Sequence, residues 1–292
     1  MGILFSMPGN ESLATELARI GPWPAGALET RIFPDGESYV RILSDVADQR
    51  TAILCTLARP DSRFLRLVFA ARTLKELGAC SVSLIAPYLS YMRQDSRFEP
   101  GEALTSRHFA ELLSREFDRL ITVDPHLHRY ADLGEIYSIP TVAVRSAPLL
   151  ARWVQDNIDR PVIIGPDAES EQWVSSIAGM ADAPYLVLEK RRLGDRAVQL
   201  EVPDLVQWKH SHPVIVDDIV SSGVTLVEAA KCLQAQGLPA AACLVVHALV
   251  GDWAQRSLAA MGSVLISTNT VPHATNGISI AAAIVEVLDP EA

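Results

Sequence analysis

In the stretch Val214-Ile-Val-Asp-Asp-Ile-Val-Ser-Ser-Gly-Val-Thr, which ends at Thr225, an apolar run leads into two acids and then into a hydroxyl-rich turn. Residues 213–216 read as a buried parallel strand, and a helical pattern runs from about 225 to 236. Ser221, Ser222, Gly223 and Thr225 at a helix N-terminus offer backbone N–H groups and the positive end of the helix dipole to a phosphate. Asp217 and Asp218 would repel a bare phosphate, so they need something else to hold. Ribose hydroxyls and a magnesium ion suit them, because carboxylates accept hydrogen bonds and ligate hard cations. The ligand implied is a sugar phosphate, its phosphate on the turn and its diol on the acids. Ordinary capping of a strand-to-helix turn competes for the same residues. No Gly-Lys-Ser/Thr follows, which excludes a Walker-type phosphate loop.

Other groups of residues carry possible chemistry. Asp124-Pro-His126-Leu-His128 follows an apolar run, where a histidine can ligate a metal, bind a phosphate oxygen or be satisfied by the backbone. Arg93, Gln94, Asp95 and Arg97 lie in a polar stretch after residue 86. Their arginines can grip phosphate oxygens in a fork or simply pair with surface acids. Phe33-Pro-Asp35-Gly36-Glu37 reads as a hairpin turn between residues 30–32 and 39–42. The basic run from Glu189 through Lys190 and Arg192 to Arg196 suits a charged hairpin tip or a lid over polyphosphate. Three apolar runs end in an acid, at Asp124, Asp167 and Asp217. Open α/β sheets bind ligands beyond the carboxyl ends of their strands, so repeated acids there point to a site.

The elements that must position these groups alternate along the chain. Strand candidates fall at 51–55, 81–86, 119–123, 162–165, 185–188, 213–216, 241–246 and 263–267. Helical patterns fall at 63–77, 106–116, 147–157, 225–236 and 252–261. This alternation predicts parallel sheets covered by helices, in two similar α/β halves joined near residues 140–148. The chain of 292 residues is long enough for two ordinary cores. Its net charge of −10 argues against nucleic acid or an anionic membrane as partner. Cys55, Cys80, Cys232 and Cys243 show no paired spacing and read as buried free thiols of a reducing compartment. No signal-peptide pattern opens the chain and no apolar run is long enough to span a bilayer, so a cytoplasmic location is expected.

Taken in order, these motifs resemble the ribose-phosphate diphosphokinase (phosphoribosyl diphosphate synthetase) family, from about Arg31 to Leu288. The resemblance implies two phosphoribosyltransferase-like domains, at 1–145 and 146–292, each a mostly parallel sheet flanked by helices. Phe33, Asp35 and Glu37 match the segment that contacts adenine in that family and reaches a neighbouring subunit's site. At least a homodimer is therefore expected. Arg93, Gln94, Asp95 and Arg97 match its ATP-binding loop. His126 matches its magnesium ligand and Asp167 its second metal-site aspartate. Lys190 and Arg192 match the Lys-x-Arg of a catalytic loop, and Asp217, Asp218, Ser221, Ser222, Gly223 and Thr225 match the ribose 5-phosphate site. The implied reaction moves the diphosphoryl group of ATP onto the anomeric hydroxyl of ribose 5-phosphate, with Mg2+ as cofactor. A phosphoribosyltransferase, or a non-catalytic regulatory paralogue, would share part of this set. Two departures stand out: Ala168 and Glu169 follow Asp167 where a glycine-containing sequence is usual, and Asn269 stands where Asp is common.

Overall fold

The computed structural model describes residues 2–192, 198–201 and 205–288; the side chains of residues 169, 172, 189–192, 198–201 and 206 lie outside that description. The chain divides into two compact units. One is Met1–Arg145 with Ala281–Ala292, the other Ser146–Ile280.

The first unit runs β1 (Gly2–Ser6), α1 (Glu11–Ile20), β2 (Leu28–Ile32), β3 (Ser38–Ile42), β4 (Arg50–Leu54), α2 (Phe64–Glu76), β5 (Ser81–Ala86), α3 (Thr105–Glu116), β6 (Arg119–Val123) and β7 (Thr141–Val144). Five strands form a parallel sheet in the order β1-β4-β5-β6-β7, while β2 and β3 pair as a separate antiparallel ribbon. The sheet strands read as near-continuous apolar runs because both faces are covered. Ile53, Leu54, Leu84, Ile85, Leu120 and Ile121 are completely buried. Helix α2 turns Leu67, Ala70, Ala71 and Leu74 onto that sheet, the spacing of one helical face.

The second unit contains α4 (Ala147–Asn157), β8 (Pro161–Gly165), α5 (Glu171–Ala181), β9 (Tyr185–Val187), β10 (Glu189–Arg192), β11 (Val198–Glu201), β12 (His212–Val220), α6 (Val224–Ala235), β13 (Ala242–Ala248), α7 (Asp252–Ala260), β14 (Val264–Thr268) and β15 (Asn276–Ile278). Its six-stranded parallel sheet has the order β15-β14-β13-β12-β8-β9, and β10 pairs β11 antiparallel. Both units are thus the predicted parallel sheets with helices.

Several expectations need correction. The last helix, α8 (Ala281–Leu288), belongs to the first unit rather than to a domain 146–292. It buries Ala281, Ile284 and Leu288, and Arg119 at the start of β6 donates to two carbonyls of its last turn, Val287 O at 2.8 Å and Leu288 O at 3.3 Å. Those carbonyls have no partner inside the helix, so a guanidinium is a natural cap. The sequence hid α8 because it is apolar on nearly every side, which leaves no amphipathic period to read. β1, α1, β7, α5 and β15 likewise lie outside the strands and helices that the sequence pattern predicts. The thiols are not all buried: Cys55 and Cys243 are, Cys232 is half-buried and Cys80, in the turn between α2 and β5, is exposed. Burial pushes the Cys55 and Cys243 thiols up to about 12, so neither is a nucleophile near neutral pH. Among the described residues no helix is long and apolar enough to cross a membrane.

Candidate active site

Strand β12 is longer than its apolar core suggests. It continues through Asp217 and Asp218 to Val220, and α6 starts at Val224. Between them Ser221, Ser222 and Gly223 make a turn that needs glycine. Gly223 has φ +78°, and a Cβ there would lie 2.3 Å from the Ala254 Cβ of α7. Ser222 Oγ accepts from Val224 N at 3.4 Å. The next amides, of Thr225 and Leu226, precede the first intrahelical bond, from Val227 N to Gly223 O at 3.0 Å, and so carry the helix's anion-attracting end. A small cavity is lined by Asp217, Ile219, Val220, Ser221, Ser222, Gly223, Thr225 and Leu226. Asp217 and the turn therefore meet, as the sugar-phosphate reading requires.

The carboxylates are held by their own backbone. Asp217 Oδ1 accepts from Asp218 N at 3.0 Å, and Asp218 Oδ1 from Ile219 N at 2.7 Å. Parallel pairing of β12 with β8 brings the end of β8, and Asp167 beyond it, to the same edge. Burial, then the charges of Asp218 and Asp167, push the Asp217 carboxyl well above the ordinary carboxylate range. A buried carboxyl raised in this way by two neighbouring acids is one whose charge a bound cation, or hydrogen bonds from a ribose diol, would relieve. Ser170 Oγ donates to Asp167 O at 2.6 Å, fixing the turn after the aspartate. Ala168 is exposed there, so its methyl adds no buried bulk to the turn.

In the first unit the candidate residues sit on loops at the carboxyl ends of β5 and β6. Asp124 ends β6 with φ +35°, a left-handed backbone that non-glycine residues adopt rarely and often at functional sites. Two residues on, His126 packs edge-to-face on His128, ring centroids 4.0 Å apart. Among the described residues no three side chains form a ready-made metal cage. Magnesium does not need one, since it keeps several waters and is commonly held by one or two protein groups plus substrate phosphates. The loop after β5 is anchored along its length. Gln94 Oε1 accepts from Thr105 Oγ1 at 3.1 Å, Arg97 Nε donates to Glu102 O at 3.0 Å, and Asp95 pairs with Arg129 at 3.2 Å. The Asp95 side chain is only 6% exposed against 58% for Arg129. Asp95 thus presents Arg129, a cation with no place among the sequence-based candidates although it directly follows His128.

Phe33, Asp35 and Glu37 occupy the tip of the β2–β3 ribbon. Phe33 N donates to Glu37 O at 2.8 Å, Glu37 N donates to Asp35 Oδ1 at 3.1 Å, and Gly36 takes φ +94° in open space. The Arg31 guanidinium lies over the Phe33 ring at 4.6 Å and the Tyr39 ring at 4.3 Å. Lys190 and Arg192 fall in β10, opposite Leu200 and Val198 of β11. Their side chains, and residues 193–197 of the basic run, lie outside the described residues.

Comparison with known proteins agrees with this geometry. Residues 2–116 match the N-terminal domain of ribose phosphate pyrophosphokinase, and residues 132–266 match the phosphoribosyl transferase domain. A ribose-phosphate pyrophosphokinase of Methanothermobacter thermautotrophicus is 32% identical over 98% of this chain and 99% of its own. The enzyme of that name from Methanobrevibacter smithii is 32% identical over 89% of this chain and 91% of its own. The crystal structure of phosphoribosylpyrophosphate synthetase from Mycobacterium smegmatis shares the fold, with a TM-score of 0.86 over 98% of this chain and 97% of that one at 23% identity. Conserved architecture over the full length and this level of identity make the chain a member of the ribose-phosphate pyrophosphokinase family and an enzyme of that class.

Proposed function

We propose that the enzyme transfers the diphosphoryl group of ATP to the anomeric hydroxyl of ribose 5-phosphate, giving phosphoribosyl diphosphate and AMP, through the residues described above. The observation that carries this reading is the cavity in which Asp217 meets the Ser221–Ser222–Gly223 turn and the start of α6. The amides of that turn bind the 5-phosphate, with the hydroxyls of Ser221, Ser222 and Thr225. Asp217 and Asp218 accept the ribose hydroxyls and so orient the sugar. Arg93 and Arg97 grip the ATP phosphates, with Gln94 and Asp95 shaping their loop, and the ribbon tip with Phe33, Asp35 and Glu37 meets the adenine. The ribbon tip serves the site of a second copy, so the active form is at least a homodimer.

His126 in the first unit and Asp167 in the second would each take up magnesium, which supplies neutralisation of polyphosphate charge when bound. Lys190 and Arg192 stabilise the charge that develops on the transferred group. Phosphoryl-type transfer demands mainly alignment and charge stabilisation, so no strong general base is needed. Free thiols and an acidic surface favour action in the cytoplasm.

The test is AMP release from ATP with and without ribose 5-phosphate, repeated in excess chelator. AMP formation that requires both substrates and stops in chelator is the expected result. Undiminished turnover in chelator would sink the metal assignment, and AMP formation indifferent to ribose 5-phosphate would sink the reaction. Light scattering that finds a fully active monomer would remove the role given to the ribbon tip.

A further inference from the structure

Two bulky residues of the first unit hold left-handed backbone on neighbouring strand-end loops. Arg59, on the loop after β4, has φ +55°, and Tyr91, on the loop after β5, has φ +63°. Large side chains rarely adopt this conformation, because the Cβ crowds the following carbonyl. Such residues persist where the surroundings over-determine them, and they cluster at functional sites. The two loops are bonded to each other. Tyr91 Oη donates to Asp61 Oδ1 across them, and Leu57 N donates to Tyr88 O at 3.0 Å. The Tyr91 ring is gripped from its other side by Phe109 of α3, centroids 4.7 Å apart, and Phe109 in turn packs on Phe64 at 5.3 Å. The Asp61 hydrogen bond raises the Tyr91 phenol further above its ordinary range, so it stays a donor at physiological pH.

Consequences follow along the chain. Met92, next to Tyr91, is buried, and Arg93 comes immediately after it. Gln94 is already pinned by Thr105 Oγ1 and by Ser106 N, which donates to Gln94 O at 3.3 Å. Only Met92 and Arg93 lie between the Gln94 anchor and the strained Tyr91. A turn of Tyr91 back to negative φ would therefore be absorbed by those two residues, and it would redirect the Arg93 guanidinium.

We propose that Tyr91 and Asp61 are positioning residues for the ATP loop: their hydrogen bond holds Tyr91 left-handed and thereby aims Arg93 at the nucleotide phosphates. The inference rests on the assignment of Arg93 to ATP in the proposed function. A surface hydrogen bond alone would not need a strained backbone, and aromatic packing alone would not need the hydroxyl. The two together, two residues before a proposed ligand, are the reason for the assignment.

Steady-state kinetics on the full-length protein test it, with KM for ATP, KM for ribose 5-phosphate and kcat measured separately for Tyr91→Phe, Asp61→Ala, Asp61→Asn and Arg93→Ala. A lost charge-assisted hydrogen bond should raise KM for ATP about 3- to 10-fold in Tyr91→Phe and Asp61→Ala. KM for ribose 5-phosphate should stay within about twofold of the original and the melting temperature should be little changed, as such surface substitutions usually cost little stability. Asp61→Asn, which keeps an acceptor oxygen, should restore most of the ATP affinity. Tyr91→Gly should bind ATP better than Tyr91→Ala, because glycine tolerates the left-handed backbone without a tether. Loss of packing alone would make glycine no better than alanine, and that result would overturn the proposal. If Arg93→Ala weakens ATP binding while Tyr91→Phe and Asp61→Ala do not, the pair is an ordinary surface contact and the inference is wrong, with the ATP-loop assignment intact. If Arg93→Ala leaves KM for ATP unchanged, that assignment fails first and takes the inference with it.

Discussion

Gly223→Ala offers the sharpest test of the turn that joins β12 to α6. The new Cβ meets two separate obstacles. The first is the backbone: at φ +78° an alanine costs about 1–2 kcal/mol relative to a right-handed conformation. The second is space. The Cβ would lie 2.3 Å from Ala254 Cβ and 3.0 Å from Val250 Cγ2, and neither neighbour is the far end of a flexible chain. Overpacking of this kind typically costs about 1–3 kcal/mol, so the sum is about 2–5 kcal/mol. Against a total stability on the order of 5–15 kcal/mol this is a large fraction, and the melting temperature should fall by roughly 10 °C. Relief by shifting the turn would also move the amides of Val224 and Thr225, so binding of ribose 5-phosphate should weaken by about tenfold or more, if one well-made phosphate contact is lost. Calorimetric melting and titration with ribose 5-phosphate measure both effects. The companion Ala254→Gly separates the two obstacles, since it removes the 2.3 Å contact and leaves the backbone cost. The double variant should therefore be more stable than the sum of the two single losses, by about 1–3 kcal/mol. A Gly223→Ala protein that melts and binds as the original does, or a double variant that shows strict additivity, would refute the close-packed turn.

Truncation after Ile280 should destabilise the first unit, not the second, because α8 buries Ile284 and Leu288 there. Those side chains alone represent about 3–6 kcal/mol of burial, and hydrogen exchange should locate the loosened amides in β6, β7 and α1; loosening confined to 146–280 would contradict the assignment. Asp217→Asn should raise the melting temperature of the ligand-free protein at neutral pH. Because the folded carboxyl lies above its ordinary value of 3.8, the native state binds more protons in that window, and stability falls as pH rises through it. The gain from asparagine should therefore shrink as pH falls toward the ordinary value and be gone below it, and a gain that grew in acid would reverse the sign of the argument. Lys190→Ala should lower kcat by about 100-fold or more with little change in KM for ribose 5-phosphate, since a donor aimed at developing charge acts mainly in the transition state. Unchanged turnover with a raised KM would make the basic run a docking patch instead.

The sequence alone carried the class of the fold, because buried parallel strands and their covering helices print apolar runs and amphipathic periods directly into residue order. It also carried the sugar-phosphate turn, whose acids, hydroxyls and glycine are contiguous from Asp217 to Thr225 and need no distant partner to be recognised. The four-residue β7 and the uniformly apolar α8, which has no polar face to reveal its period, escaped it. What depends on contact between distant residues was decided only by the tertiary structure. The return of residues 281–288 to the first unit rests on Arg119 and on packing against α1, 260 residues and more earlier in the chain. The raised carboxyl of Asp217 comes first from burial, then from Asp218 beside it, and in part from Asp167, which is remote in sequence and arrives through the pairing of β8 with β12. Asp95 reads in sequence as a ligand in a polar loop, yet folding buries it against Arg129. The left-handed Tyr91 leaves no mark in residue order, because its conformation is imposed by Asp61 and Phe109 from other elements. Residue types name the chemistry that a site can perform; which of those groups face a ligand, and which hold their neighbours in place, is fixed by burial and by partners that only folding supplies.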